Sequence, residues 1–308
     1  MTSIIIGPDT IPDIIIDNYP IFKVNNVEKI LFSDENNSNI KWNEYKLLIN
    51  NIQNSDNNNN NYFNITCLYD TAFGHWTLEA AIFLVVYKKL QKIVPNIKIY
   101  IGNNRFYKLS ILNAFDISKD DIVYEISKNP NTVYLPERIS YNCMDFNPKY
   151  EIYFRNFFNY FETTTSTINK DIDILFLPRG KKENFIGNDR QITNQDNIEK
   201  FLKEMYNAVI YNSDNATDNF LDQVRLIKRA KIIILTYGSA SFFNSIFLKD
   251  CHIIVLDKIE SQFNYPYVNF MYNYILSRNN SVDYILGYQL FNLEYICNII
   301  NRYTNANA

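Results

Sequence analysis

The chain passes from an uninterrupted apolar run into a turn of small residues at Ile232-Ile233-Ile234-Leu235-Thr236-Tyr237-Gly238-Ser239-Ala240-Ser241. A β-branched run that ends in small residues and leads into a helical apolar pattern predicts a strand, a tight turn and a helix start. Small side chains let a ligand approach the backbone, and the N–H groups at a helix start favour an anion such as a phosphate. The stretch therefore predicts an α/β unit with an anion-binding turn at Gly238.

Alternating short apolar runs and helical patterns continue on both sides of this stretch. Strands are predicted at Ile172 to Leu177, Ala208 to Tyr211, Lys231 to Thr236 and His252 to Leu256, with helices between them. This order predicts a doubly wound parallel sheet covered by helices, with ligands outside the carboxyl ends of the strands. The residues from Tyr267 to Tyr303 are predicted to be mainly helical and to pack back across both domains.

The first half of the chain shows a second series of the same kind. Its predicted elements alternate strand and helix, at Tyr62 to Tyr69, Gly74 to Lys92, Ile97 to Ile101, Phe106 to Phe115 and Ile122 to Ile126. Such a β-α-β-α-β order predicts another parallel sheet. The polar stretch Glu162 to Lys170 is the predicted linker. We therefore expect two Rossmann-like domains, residues 1–165 and residues 166–308.

Size and composition agree with a well-packed protein of two domains. The chain has 308 residues, of which 47% are hydrophobic and 16% aromatic, enough for two cores of ordinary size. The net charge is −3 and no dense Lys/Arg stripe occurs, which argues against a nucleic-acid polymer as partner. The four cysteines are isolated from one another, which argues against a zinc or redox site.

Signals for export or membrane insertion are not predicted. The N-terminus has no basic region, and Asp9, Asp13 and Asp17 interrupt its apolar runs, so no signal peptide is expected. The uncharged span from Ile232 to Leu248 is better explained by a strand and a helix than by a transmembrane segment. We therefore expect a cytoplasmic protein, and the sequence makes no prediction of its oligomeric state.

Three segments, in order, resemble glycosyltransferase family 61. His75-Trp76-Thr77-Leu78-Glu79 resembles the family's HWxxE motif. Leu177-Pro178-Arg179-Gly180, followed by Asp189-Arg190-Gln191-Ile192-Thr193-Asn194, resembles its PRG…RxIxN segment. Gly238-Ser239-Ala240 and Asn244 resemble its GSAxxxN block, with Gly238 standing where many members have His. The resemblance spans roughly residues 62 to 257.

This resemblance implies both an architecture and an activity. The family is associated with the GT-B arrangement, in which two Rossmann-like domains face a cleft. The implied activity is inverting transfer of a sugar from a nucleotide-sugar donor, typically a UDP-sugar, without an essential metal or other cofactor. The implied acceptor is a hydroxyl of a glycan or a protein-linked glycan. The N-terminal domain would hold the acceptor, and the C-terminal domain would hold the donor.

Sugar transfer from such a donor needs a group that stabilises the leaving diphosphate. Arg179 and Arg190 are the first candidates, because arginine forks bind phosphate oxygens in pairs. The alternative is that they are solvated arginines of a charged loop that also contains Lys181 and Glu183. Asn194 either contacts the donor or caps the following helix, since Asn is a common N-cap residue.

Main-chain amides are the second candidate for the diphosphate. Gly238, Ser239 and Ala240 would present their N–H groups to it, whereas the alternative is a plain tight turn. Asn244 is expected to brace this turn. Asp257 ends the next strand and is a weaker candidate for a ribose hydroxyl, by analogy with acidic residues at strand ends of dinucleotide folds.

The acceptor hydroxyl must also lose a proton as it attacks. His75 and Glu79 are four residues apart, so they share one face of the predicted helix, and either is a candidate for the general base. The alternative gives both residues structural roles. A different kind of protein also fits the sequence, namely a catalytically inactive nucleotide- or glycan-binding protein of the same fold, because Gly238 replaces the usual His.

Overall fold

The computed structural model describes part of the chain, and each structural statement concerns that part: residues 3–6, 14–16, 19–24, 29–32, 43–45, 61–66, 73–126, 132–136, 151–165, 168–178, 192–212, 219–236, 245–257, 266–287 and 290–306. The chain divides into two compact units, Met1–Phe157 and Phe158–Ala308. The division falls within the helix Glu151–Thr164, ahead of the polar stretch Glu162 to Lys170 predicted as a linker.

The described strands of the first unit form two sheets. In chain order they are β1 (Ser3–Ile6), β2 (Ile14–Ile16), β3 (Tyr19–Val24), β4 (Lys29–Phe32), β5 (Asn43–Tyr45), β6 (Asn61–Asn64), β7 (Ile97–Tyr100), β8 (Ile122–Val123) and β9 (Thr132–Pro136). A small sheet has the order β1-β4-β5, and a larger one has the order β2-β3-β9-β6-β7-β8. The helices are α1 (Phe73–Glu79), α2 (Leu84–Leu90), α3 (Phe106–Ala114) and α4 (Glu151–Thr164).

The larger sheet is parallel at its centre and antiparallel at one edge. Strands β9, β6, β7 and β8 are parallel neighbours, which confirms the predicted β-α-β-α-β order. Strands β2 and β3 pair antiparallel, and β3 also pairs antiparallel with β9, so strands outside the predicted series add an antiparallel edge to the sheet. For β2 and β3 the reason is chain length, because only two residues separate them, whereas a parallel pair needs a crossover of about a dozen.

The helix predicted over Gly74 to Lys92 is divided into three pieces. Helix α1 ends at Glu79, a 3₁₀ turn covers Ala81–Phe83, and α2 begins at Leu84. Ala80 lies between the first two pieces with φ −126°, outside the helical region. The three residues of the 3₁₀ turn are all buried, so the interruption lies in the core of the unit.

The second unit contains one described sheet, which is parallel throughout. Its strands are β10 (Ile172–Leu177), β11 (Val209–Ile210), β12 (Ala230–Thr236), β13 (His252–Asp257) and β14 (Ser281–Leu286), in the spatial order β11-β10-β12-β13-β14. Its helices are α5 (Gln195–Tyr206), α6 (Phe220–Lys228), α7 (Pro266–Ser277) and α8 (Leu293–Ala306), and Ser245–Phe247 forms a 3₁₀ turn. The direction of winding reverses between β10 and β12, as in a doubly wound sheet.

The C-terminal part of this unit is less helical than the sequence predicts. Strand β14 pairs in parallel with β13 along its whole length, from His252–Ser281 to Asp257–Leu286. The strand carries polar residues because it lies at the sheet edge, where most of its side chains are only half-buried. The apolar alternation that identifies buried strands is therefore weak here.

Helices cover both faces of this sheet. One face packs on α5 and α8, whose apolar residues join those of the strands in one core: Ile198, Leu202, Ile296, Ile299, Ile300, Ile174, Phe176, Ile232, Ile234, Ile254, Leu256 and Ile285. Elsewhere in the unit an aromatic cluster joins the end of α4 to α6 and the 3₁₀ turn. In it, the ring of Phe161 lies 5.1 Å from that of Phe220 and 5.5 Å from that of Phe247. The mixed α/β fold expected from the sequence is thus confirmed.

Candidate functional site

The site of the second unit is defined by the reversal of winding between β10 and β12. The two strands are parallel neighbours, and Leu177 pairs with Leu235 next to their carboxyl ends. Neighbouring strands lie about 4.8 Å apart. Because the chain leaves such strands toward opposite faces of a sheet, a crevice forms between their ends, and ligands of doubly wound sheets bind there.

Both sequence segments predicted to hold the diphosphate begin at this crevice. Pro178 follows β10 directly and leads into Arg179, and Tyr237 follows β12 directly and leads into Gly238. The predicted donor residues Arg179, Arg190, Gly238, Ser239 and Ala240 lie outside the described residues. Their contacts with a donor therefore stay predictions.

The third strand along this edge ends in an acidic residue. Asp257 is the last residue of β13, is only 4% exposed, and its backbone O accepts a 3.0 Å hydrogen bond from the N–H of Gly287. Since Thr236 of β12 pairs with Leu256, the Asp257 carboxylate lies one strand away from the crevice. A contact of Asp257 with a ribose hydroxyl stays a prediction.

Asn194 has contacts that neither sequence alternative included. Its side-chain Nδ2 donates to the backbone O of Phe291 at 2.8 Å, and its Oδ1 accepts from the Phe291 N–H at 3.1 Å. The residue stands at the N-cap position of α5, yet its side chain forms no capping hydrogen bond. Its backbone O accepts from the N–H of Ile198, so α5 starts normally. The amide thus connects the start of α5 to the segment before α8.

The motif segment of the first unit also follows a strand at a reversal of winding. Strand β6 lies between β9 and β7, and the chain continues from it to α1. Helix α1 contains both predicted positions, 75 and 79, four residues apart. Glu79 is half-buried and is the last residue of the helix, and the side chain of His75 lies outside the described residues. That either of them acts as a base stays a prediction.

Trp76 of the same motif is a core residue. Its indole is completely buried, and the ring of Tyr107 lies 6.0 Å away in an edge-on arrangement. The Nζ atom of Lys108 lies 5.2 Å from the centre of the Trp76 ring, within range of a cation–π interaction. The motif tryptophan therefore fixes α1 against α3.

Lys108 is a residue that sequence reasoning missed. It is completely buried on α3, and its Nζ donates to the backbone O of Ile101 at 2.7 Å. Buried lysines are rare because an ammonium group loses its hydration, so this one needs the carbonyl and the indole as substitutes. The signal was its spacing, because Lys108 precedes the buried Ile111 and Leu112 by three and four residues and so falls on the apolar face of α3.

A separate polar cluster lies at the amino ends of the strands in the second sheet. His252 begins β13, its Nδ1 lies 2.7 Å from Ser281 Oγ, and its Nε2 lies 3.2 Å from Asp283 Oδ2. A neutral ring with its proton on Nε2 satisfies both contacts. Burial lowers the pKa of His252 to about 4 and outweighs the carboxylate of Asp283, which acts in the opposite direction. This cluster lies at the amino ends of the strands, away from the crevice.

Two other arginines of the second unit take part in ion pairs. Arg225 Nη1 lies 2.6 Å from Asp222 Oδ1, and Arg229 Nε lies 2.7 Å from Asp171 Oδ1. Arg229 and Asp171 both precede strands, at the amino edge of the sheet. Neither arginine lies at the carboxyl edge, where the crevice is.

The fold and the position of these segments define a class: an α/β protein with a ligand crevice at the switch point of a doubly wound sheet. A family model described as Glycosyltransferase 61 matches residues 73–255, more than half of the chain, and the chain belongs to this family. The match includes all three motif segments and excludes β14 and α8. No curated protein matches the chain. Among the helices of the described residues, none combines the length and apolarity needed to cross a membrane.

Proposed function

We propose that this protein is an inverting glycosyltransferase that moves a sugar from a UDP-sugar to a hydroxyl of a glycan or protein-linked glycan, without a metal ion. One observation carries the proposal. The PRG and GSA segments leave neighbouring parallel strands, β10 and β12, at the point where the winding of the sheet reverses. Membership of the family supports the glycosyltransferase activity itself.

The proposed chemistry assigns a role to each segment. Arg179 and Arg190 neutralise the diphosphate as it leaves, because guanidinium groups supply paired hydrogen bonds and a fixed charge without a metal. The amides at Gly238 and Ser239 add donors from the neighbouring strand end. In the first unit, His75 or Glu79 takes the proton of the acceptor hydroxyl. The GT-B arrangement of the two units and a cytoplasmic location belong to the same proposal.

The first experiment measures UDP binding by calorimetry in the presence of EDTA. We expect Arg179→Ala and Arg190→Ala each to weaken binding by roughly 1–3 kcal/mol, the scale of a lost charged hydrogen-bond pair. Arg229→Ala is the matched control, because this arginine lies at the amino edge of the same sheet and should leave UDP affinity unchanged. If Arg179→Ala and Arg190→Ala bind UDP as tightly as the wild-type protein and the control, these two arginines are not part of the site.

A second experiment separates catalysis from binding. Purified protein is incubated with a panel of nucleotide sugars, and hydrolysis or transfer is followed in EDTA and in Mn²⁺. Turnover in EDTA agrees with the proposal, whereas turnover that requires Mn²⁺ contradicts the metal-free mechanism. UDP binding without turnover of any donor would favour the inactive binding protein, for which the presence of Gly238 in place of the usual His is the supporting observation.

A further inference from the structure

Two residues hold the start of α5 in place, Ile192 and Asn194. Both come just after residues 179–190, which we call the arginine-bearing segment. Ile192 is buried in the core beneath α5 and α8, and Asn194 forms its pair of hydrogen bonds with the backbone of Phe291. Arg190 precedes Ile192 by two residues in the sequence. The two anchors are thus the first described contacts that follow Arg190 along the chain.

The partner of Asn194 is itself held firmly. The ring of Phe291 is only 3% exposed and belongs to the same core. Gly287 packs so closely beneath it that a Cβ atom there would lie 3.0 Å from Phe291 Cε1 and 3.0 Å from the backbone O of Leu290. The N–H of Gly287 donates to the backbone O of Asp257, which ends β13. A continuous series of contacts thus joins the start of α5 to the strand end that carries Asp257.

The two helices that these contacts join lie side by side. Besides the contact at their starts, Tyr206 near the end of α5 has its hydroxyl 2.9 Å from Cys297 Sγ and donates to Asn301 Oδ1 at 3.2 Å. Helix α8 and Phe291 lie beyond the residues that the family model matches. The C-terminal segment of this chain therefore supports a motif residue from outside the family's matched region.

We propose that Asn194 is a positioning residue: by tying the start of α5 to Phe291 it fixes the end of the arginine-bearing segment, and thereby sets how tightly the crevice holds a nucleoside diphosphate. This rests on the proposed function, because Arg190 is taken to contact the diphosphate. It replaces the expectation that Asn194 itself contacts the donor. Gly287 has a supporting role, since only a residue without a Cβ lets Phe291 reach the amide unhindered.

The first measurement needs no ligand. Hydrogen–deuterium exchange of the peptide that covers residues 179–194 is compared in the wild-type protein, Asn194→Ala and Gly287→Ala. Both variants should exchange at least about threefold faster in this peptide, since each loosens the same contact by a different route. Gly287→Ala keeps the conclusion testable if Asn194→Ala folds poorly. Unchanged exchange in both variants would overturn the proposal whatever the protein binds.

The second measurement is a double-mutant cycle on UDP affinity. Asn194→Ala should weaken UDP binding by about tenfold in the wild-type background and by less than about twofold in the Arg190→Ala background, because a residue that acts through Arg190 has nothing left to position. Equal losses in both backgrounds would mean direct contact with the ligand. No loss in either would mean a purely structural amide. Both of these results contradict the proposal.

Asn280 provides the matched control. Its side chain is as involved with the backbone as that of Asn194, since it accepts from Cys251 N–H at 3.0 Å and donates to the O atoms of Leu248 and Ile275 at 3.0 and 2.9 Å. It lies at the amino edge of the sheet, so Asn280→Ala should lower stability and leave UDP affinity unchanged. If the wild-type protein and Arg190→Ala both fail to bind UDP, the proposed donor is wrong, and the exchange measurement still decides the role of Asn194.

Discussion

The two units present their motif segments after strands at a reversal of winding, but they secure them by different means. In the first unit, α1 is fixed by the completely buried indole of Trp76, which packs against α3. In the second unit, the start of α5 is fixed by two hydrogen bonds from one amide to the backbone of Phe291. Burial of a large side chain contributes more free energy than a neutral hydrogen bond. The stability of the first motif segment should therefore depend on the volume of the side chain at Trp76. The stability of the second should depend on the hydrogen bonds of Asn194.

The largest expected effect tests the first half of this comparison. Trp76→Ala removes a completely buried aromatic side chain and leaves a cavity beside Lys108, so the free energy of unfolding of the first unit should fall by about 3–5 kcal/mol. Urea unfolding monitored by far-UV circular dichroism measures it. Phe106→Ala is the control, because this ring is 56% exposed and its loss should cost about 0.5 kcal/mol or less. A loss below about 1 kcal/mol for Trp76→Ala would contradict the role of packing.

The next effect tests whether the polar contacts of the second unit depend on pH. Burial holds the pKa of His252 at about 4, below the ordinary value of 6.5, so the unfolded chain binds a proton that the folded chain rejects. Stability should be fully present above pH 6.5 and fall as the pH drops toward 4, by roughly 3 kcal/mol at 1.4 kcal/mol per pH unit. Below about pH 4 both states are protonated, and this loss stops growing.

The measurement compares the wild-type protein with His252→Gln in urea at several pH values. The difference in stability between the two should shrink as the pH falls from 6.5 to 4, because glutamine does not titrate. The charged groups around the ring are Asp283 and Arg302, and both are retained in the variant. A difference that stays constant across this range would show that the ring is already charged, or free to become so, in the folded protein.

A smaller effect is expected at the ion pair that fastens the end of α4. Arg278 Nη2 donates to Glu162 Oε1, and Arg278 Nε donates to the backbone O of Leu248 at 2.9 Å. Arg278→Leu leaves the half-buried carboxylate without its guanidinium, so we expect a loss of about 2 kcal/mol at pH 7. Glu162→Gln keeps a hydrogen-bond acceptor and should cost less. Equal stability of the wild-type protein and Arg278→Leu would contradict this.

The same pair makes a prediction about pH with its own sign. Hydrogen bonding from Arg278 lowers the pKa of the Glu162 carboxyl group below its ordinary value. The stability it contributes is present above the unfolded pKa of 4.5 and is lost as the pH falls through the lower folded value. It therefore titrates at a lower pH than the His252 effect, and Glu162→Gln should flatten the stability curve only below about pH 4.5.

Strands β10, β12 and β13 were predictable because each contains an uninterrupted apolar run of four residues. The run Ile232 to Thr236 is an example, since all five of its residues are buried, as is typical of a strand covered on both faces. The edge strand Ser281–Leu286 could not be recognised, because four of its six residues are only half-buried and two of these, Ser281 and Asp283, are polar. Local composition follows burial, and burial of an edge strand depends on neighbours that are distant in the sequence.

For the candidate site, the positions of the motif segments at strand ends were predictable from the sequence. The residues that their side chains contact were not. The location of the arginine-bearing segment at a strand end follows from the apolar run Ile172 to Leu177 alone. The partner of Asn194 lies 97 residues further along the chain, so no local pattern indicates it. Lys108 differs from these, because its place on the apolar face of α3 is visible in the sequence, whereas the carbonyl and indole that compensate its burial are not.

The smallest expected effect tests where the second unit begins. Lys228 on α6 donates to the backbone O of Thr165 at 3.0 Å and to its hydroxyl at 2.8 Å, and Thr165 is buried. Lys228→Met keeps the aliphatic stem and removes both hydrogen bonds, so the second unit should lose about 1 kcal/mol. Lys231→Met is the control, because Lys231 pairs only with the exposed Asp173 among the described residues. Equal stability of the Lys228 and Lys231 variants would mean that the residues near Thr165 act as a linker. The second unit would then begin at β10.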